Sequence, residues 1–274
     1  MNVLIAGYGY VGKATAELFA SHGHRVIGAR RSVARDEPGI RMVQLDVTAE
    51  SARNAISEPI DLIVCALSPD ERTDEAYRKA YPDAVRNLTT CFPEARLLLI
   101  SSTTVYAQSG GEEFDEQAPA LSETFSAKRI REAEDWLLST PLPHAILRAS
   151  GIYGPGRTRL VSRLRSEALG RTEADVFTSR IHRDDLARAL LFLAEHPKST
   201  GIYLASDPTP ATLGEMQSWI LERFSNDEAE LSPGAPSTRA RKNRRARPAR
   251  LLEEGFRFSY PSFREGYEAL LERN

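Results

Sequence analysis

The chain has 274 residues, 41% apolar and 27% charged, with a net charge of −2. That length holds one large α/β domain, or a domain with a small lobe, and the composition excludes a wholly disordered chain. The charge balance excludes general attraction to nucleic acid, the two cysteines cannot build a disulfide framework, and no apolar run reaches the roughly 18 residues of a membrane span.

The opening stretch, Asn2-Val3-Leu4-Ile5-Ala6, lacks the basic start and long apolar run of a signal peptide, so a cytoplasmic location is expected. Short apolar runs predict strands at Val3–Ala6, Arg25–Ala29, Met42–Leu45, Leu62–Ala66, Leu97–Ser101 and Ala145–Arg148. Their nearly continuous apolar character suits strands buried on both faces. Helical patterns lie between several of them, at Val11–Ser21, Glu75–Cys91 and Ala127–Leu138. This alternation predicts an α/β fold with a doubly wound parallel sheet in residues 1–150, its sheet completed by later elements. Residues 151–274 read as a small mixed lobe on the substrate side, with helices at Leu160–Leu169, Asp184–Glu195, Leu213–Phe224 and Ser262–Glu272 and a strand at Ile202–Ala205. Thr212 and Glu215 form a capping box ahead of the third of these helices. Residues 225–250 read as a polar surface loop with an acidic part and then a basic run.

Gly7-Tyr8-Gly9-Tyr10-Val11-Gly12 follows the first strand and opens the first helix. Glycines at that spacing allow a tight turn, a close approach of backbone to a pyrophosphate and close packing of helix on strand. The helix N-terminus adds N–H donors and a partial positive charge. The second strand ends in Arg30-Arg31, with no carboxylate to accept from the 2′-hydroxyl of NAD. Two cations there suit the 2′-phosphate of NADP, or form a solvated surface pair. Asp46-Val47 ends the third strand, where Asp46 suits either the adenine amino group or a turn. Ala66, Leu67 and Ser101, at the ends of the fourth and fifth strands, complete the expected cofactor edge.

The fifth strand runs into Ser101-Ser102-Thr103-Thr104-Val105-Tyr106, and further on stand Leu147-Arg148, Ile152-Tyr153-Gly154-Pro155-Gly156 and Ile181-His182-Arg183-Asp184-Asp185-Leu186-Ala187. With the glycine loop, this series resembles the extended short-chain dehydrogenases/reductases, the family of nucleotide-sugar epimerases and dehydratases. The resemblance covers most of the chain and implies a Rossmann-type fold. In that family a Ser or Thr orients the substrate oxygen, a position held here by Ser102. A Tyr four residues before a Lys acts as acid/base, and the Lys binds the nicotinamide ribose. Lys128 matches the Lys, but the tyrosine position holds Thr124. A threonine hydroxyl cannot act as a phenolate base, so the chain resembles an atypical branch lacking the tyrosine.

The resemblance thus implies dinucleotide binding, NADP expected and NAD admissible, more firmly than turnover. Glu123, Tyr106, Tyr153 and His182 are candidates for the missing proton carrier, with packing as the alternative for His182 and the two tyrosines. Tyr106, Tyr153, Arg157, His182 and Arg245 are expected to face a small, phosphate-bearing substrate. The run Arg239, Arg241, Lys242, Arg244, Arg245, Arg247 and Arg250 reads as a solvated loop, a phosphate clamp or a nucleic-acid contact. The last is the least favoured, because no aromatic residue interleaves it. No His/Cys/Asp/Glu group has metal-ligand spacing. Two functions are carried forward: an NADP-dependent oxidoreductase or epimerase with weak activity, and a non-catalytic NADP-binding sensor or scaffold. A homodimer is compatible with either.

Overall fold

The computed structural model describes residues 1–32, 35–49, 55–157, 159–166, 174–223 and 243–271. Along the chain run β1 (Asn2–Ala6), α1 (Tyr10–Ser21), β2 (Arg25–Arg30), β3 (Ile40–Gln44), β4 (Leu62–Cys65), α2 (Asp74–Arg78), α3 (Ala84–Cys91), β5 (Arg96–Ser102), β6 (Gly110–Phe114), α4 (Phe125–Ser139) and β7 (His144–Ala149). There follow β8 (Gly151–Tyr153), α5 (Arg159–Ser166), β9 (Phe177–Thr178), β10 (Arg180–His182), α6 (Arg183–Glu195), β11 (Gly201–Ala205), β12 (Ala211–Thr212), α7 (Leu213–Arg223), β13 (Asn243–Ala246), α8 (Ala249–Glu253) and α9 (Phe263–Leu271). These elements make two compact units, Met1–Ala107 with Pro119–Ala149 and Leu186–Tyr203, and Gln108–Ala118 with Ser150–Asp185 and Leu204–Asn274.

The first unit is organised by a seven-stranded sheet of order β11-β7-β5-β4-β1-β2-β3. The pairings from β3 through to β7 are all parallel. All six strands expected in the first 150 residues are present, and β4 is buried along its whole length, as its unbroken Leu62-Ile63-Val64-Cys65 requires. Strand order reverses between β1 and β4, so the carboxyl ends of these two strands flank a topological switch point, where ligands of open α/β sheets bind. Helix α1 buries Gly12, Thr15, Ala16 and Phe19, one stripe at helical spacing. Between α2 and α3 the helix widens into a π turn, Lys79–Asp83, around Pro82. Proline supplies no N–H and its ring crowds the carbonyl four residues back, and the wider turn accommodates both.

The second unit holds three strand pairs: β8 with β10, β9 with β12, and β6 with β13. Its core gathers Tyr153, Val161, Leu164, Leu213, Met216, Ile220, Phe263 and Tyr267. The capping box closes as expected: Thr212 N donates to Glu215 Oε2 at 2.7 Å and Glu215 N to Thr212 Oγ1 at 3.1 Å. The expectation of a loop over 225–250 is corrected at its end, where residues 243–246 form β13 and 249–253 form α8. β13 pairs with β6, and its guanidinium groups lie over aromatic rings, Arg244 over Phe114 at 5.9 Å and Arg245 over Phe177 at 5.0 Å. Cation–π contacts here do the packing, so no apolar alternation marks the strand. The rest of that loop, with Asp227, Glu228, Glu230, Arg239, Arg241 and Lys242, lies outside the described residues, as do the expected helix ends at 167–169, 224 and 272. Among the described residues no helix is long and apolar enough to cross a membrane.

Candidate functional site

The glycine loop sits at the switch point. Gly7 N and Tyr8 N both donate to Ala29 O, at 3.2 and 3.0 Å, fastening the loop to the end of β2. Gly7 has φ +104°, and a β-carbon there would stand 2.8 Å from the backbone of Ala66. A β-carbon on Gly12 would strike Gly7 O, whereas one on Gly9 would find nothing within 4 Å. The open space is therefore over Gly9, at the start of α1. Gly9 is the N-cap without a side-chain cap, and the first turn carries no acidic residue. Backbone N–H groups at an uncapped helix start beside open space suit an anion. Ala66, with its N–H on Ala6 O at 2.8 Å, and Leu67 are half-buried on the β4 side.

At the end of β2 Arg30 is exposed, while Arg31 forks onto Asp70, Nη1 to Oδ2 and Nη2 to Oδ1 both at 2.6 Å. Lys13 pairs with Glu37 at 2.5 Å. Burial, with Glu37 beside it, pushes the Tyr8 phenol well above its usual range. Asp46 Oδ1 takes both the N–H (2.9 Å) and the hydroxyl (2.7 Å) of Thr48, the turn role weighed above. Val47 is buried, and its carbonyl accepts from Asn87 Nδ2 at 2.7 Å.

Ser101 points into the interior, donating to Glu134 Oε1 at 2.5 Å. Glu134 in turn accepts from Arg148 Nε at 3.0 Å and Nη2 at 2.7 Å, and Arg148 Nη1 donates to Tyr106 Oη at 2.9 Å. Burial opposes the charge on Arg148, but Glu134 and Tyr106 outweigh it and raise its pKa. Tyr106 is 0% exposed and belongs to this network. Sequence reasoning missed Glu134, because a glutamate in an amphipathic helix reads as surface charge. Ser102 is half-buried at the end of β5, where its Oγ accepts from Thr104 N at 3.1 Å and donates to Thr104 Oγ1 at the same distance.

Thr124 is exposed and is the N-cap of α4, its hydroxyl accepting from Ala127 N at 3.3 Å and lying 3.3 Å from Ser126 Oγ. Helix α4 buries Ser126, Ala127, Ile130, Ala133, Glu134 and Leu137. Lys128, two residues from both Ser126 and Ile130, is turned about 200° from them. It faces outward and pairs with Glu123 at 3.0 Å. Ser102 is thus placed at the end of β5, but Lys128 is not brought to the buried face of α4, where Ser126 and Ile130 stand four residues apart.

In the second unit Tyr153 is buried, and its hydroxyl donates to Ser262 O at 3.3 Å. Burial, with Asp207 nearby, pushes that phenol well above its usual range. His182 is 1% exposed, accepts from Asp184 N at 3.2 Å through Nδ1, and packs its ring 3.9 Å from that of Tyr260, tilted by 40°. Asp185 accepts from Ser259 N and Tyr260 N at 2.9 and 2.7 Å. Arg245 donates to Gly111 O at 3.0 Å, a strand-to-strand tie, and Arg157 is exposed beyond β8. Among the described residues no group of three potential ligands is arranged to hold a metal ion.

Fold and loop together define a dinucleotide-binding α/β protein of the Rossmann type. The family model for the NAD-dependent epimerase/dehydratase family matches residues 3–205, and the chain belongs to that family. It is similar to the spore coat polysaccharide biosynthesis protein SpsK of Bacillus subtilis strain 168, 28% identical over 159 residues, which are 57% of this chain and 54% of that protein. The match therefore spans about half the length of that curated relative. A Methylobacillus flagellatus protein, provisionally assigned as an NAD-dependent epimerase/dehydratase, superposes with a TM-score of 0.81 at 30% identity, covering 99% of this chain and 98% of the other. The dTDP-glucose 4,6-dehydratase of Bacillus anthracis, solved in complex with NAD, superposes with a TM-score of 0.80 at 16% identity, over 99% and 96% of the chains. The last likeness concerns the fold.

Proposed function

We propose that the protein binds NADP(H) on the glycine loop and acts, with weak turnover, as an oxidoreductase or epimerase on a small anionic substrate of the nucleotide-sugar type. The open cradle over Gly9 carries the reading: it is shaped by Gly7 and Gly12, stands at a helix N-terminus, and has Arg30 and Arg31 beside it. The residues fit the dinucleotide. Gly9 to Gly12 would take the pyrophosphate, Arg30 and Arg31 the 2′-phosphate, and Asp46, with Oδ1 committed to Thr48, would keep Oδ2 for the adenine amino group. The nicotinamide supplies hydride transfer when bound. Ser102 would hold the substrate oxygen at the end of β5. Membership of the NAD-dependent epimerase/dehydratase family supports a nicotinamide dinucleotide as cofactor, and the likeness to a polysaccharide biosynthesis protein supports a sugar-type substrate. Calorimetric titration tests the cofactor: NADPH is expected to bind at least about tenfold more tightly than NADH, and Arg30→Ala with Arg31→Ala should remove most of that preference. Equal affinities in the native protein overturn the preference.

A second reading, an NADP-binding sensor or scaffold without turnover, is favoured by α4. Its Thr124 hydroxyl caps the helix and its Lys128 ammonium faces Glu123, so neither supplies the acid/base pair of the family. NADPH consumption with candidate nucleotide sugars, compared between the native protein and Ser102→Ala, separates the two. Turnover abolished by Ser102→Ala supports the enzyme, and no turnover with intact NADPH binding supports the sensor.

A further inference from the structure

We propose that Asp70 is a positioning residue that tunes which dinucleotide the site accepts, by holding Arg31 across the mouth of the glycine loop until a 2′-phosphate takes the guanidinium over. The inference rests on the reading of residues 7–12, 30 and 31 as a dinucleotide site. In the sheet β1 lies between β2 and β4. Adjacent strands are about 4.8 Å apart, which separates β2 from β4 by about 10 Å. Arg31 is the first residue beyond β2 and Asp70 the fifth beyond β4. Their two-pronged ion pair, 2.6 Å at each prong, therefore passes over the carboxyl end of β1, where the glycine loop begins. The loop is pinned to the same flanks: Gly7 and Tyr8 donate to Ala29 on one side, and Gly7 packs against Ala66 on the other.

A dinucleotide laid on that loop meets this pair. The side chains of Arg31 and Asp70 are 63% and 60% exposed, and an ion pair so open to water is a weak restraint. A phosphate dianion presents the guanidinium with the same forked geometry and more charge. When it takes Arg31, the two-pronged pair with Asp70 has to break. Asp70 is thus a counterweight to the 2′-phosphate and has little bearing on NADH, which lacks that group.

The experiment is a set of calorimetric titrations with NADPH and NADH on the native protein, Asp70→Asn, Asp70→Glu, Arg31→Ala and the Arg31→Ala/Asp70→Asn double variant. Asp70→Asn should raise the NADPH-to-NADH affinity ratio about fivefold, and Asp70→Glu, which keeps the carboxylate, should stay near the native ratio. In the Arg31→Ala background Asp70→Asn should move the ratio by less than about twofold, because no guanidinium is left to release. Loss of an ordinary surface contact would show no such dependence on Arg31. A ratio unchanged in Asp70→Asn, or an equal change with and without Arg31, overturns the proposal. A native NADPH preference that vanishes in Arg30→Ala/Arg31→Ala without any response to Asp70→Asn overturns this inference alone. No native preference, with one appearing in Asp70→Asn, overturns the NADP assignment and supports the role of Asp70. Binding of neither dinucleotide overturns both.

Discussion

A β-carbon on Gly9 meets open space, and one on Gly12 meets a carbonyl oxygen, so two glycines three residues apart should fail in different ways. Gly9→Val is expected to keep the native circular dichroism and melting transition while losing NADPH affinity by more than about a hundredfold, because its methyls occupy the phosphate space. Gly12→Val should lose stability first, because α1 can no longer approach the turn. The loop was legible in the sequence because everything it needs lies within six residues. Asp70 was not, because its partner is 39 positions away, and nothing local marks an aspartate as the mate of an arginine in another loop. The facing of Lys128 escaped for a different reason. Spacing fixes relative positions on a helix but not the rotation of the whole helix, and α4 buries the face two residues away. Lys128→Ala is accordingly expected to leave NADPH affinity within about twofold of native. A loss of tenfold or more on titration would return Lys128 to the cofactor.

Elements are tied together by what the helices and strands bury. Glu134 of α4, Ser101 of β5 and Arg148 of β7 meet in the interior with Tyr106, and the Arg148 and Glu134 side chains are only 6% and 1% exposed. Truncating one partner strands the other charge away from water. Glu134→Ala should therefore cost about 3–5 kcal/mol in urea unfolding, far more than an exposed helix glutamate. The cap of α4 is a smaller matter: Thr124→Ala should cost about 1 kcal/mol and leave NADPH binding unchanged. The six strands around this network could be read from continuous apolar runs. The small strands β6, β8, β9, β10 and β13 could not, because none of them carries a continuous apolar run: β6 is Gly-Gly-Glu-Glu-Phe and β13 Asn-Arg-Arg-Ala. β13 in particular is written in arginine.

At the scale of the molecule, the buried Asp207 makes stability depend on pH. Burial raises its pKa well above the ordinary carboxylate value, aided by Asp185 and Glu265 and opposed by Arg180. The folded state thus keeps a proton that the unfolded chain gives up earlier. Stability should fall as pH rises from the unfolded value through the folded one. Asp207→Asn is expected to flatten that dependence, with a urea midpoint higher than native near neutral pH and no advantage at about pH 4. A midpoint lower than native at both would mean that the partnership with Arg180 outweighs the burial.

The route of the chain has a consequence for synthesis on the ribosome. The sheet takes its edge strand β11 from residues 201–205, long after β7 has been made, and Arg96 at the start of β5 donates to the carbonyls of Leu193 and Ser199, both at 2.5 Å. Until α6 and the turn after it emerge, that guanidinium lacks these acceptors, and the β7 edge stands open to any passing strand. A nascent chain ending near residue 150 would hold the whole glycine loop and still be a poor folding unit. Expressed alone it should collect in inclusion bodies, while the full chain should not.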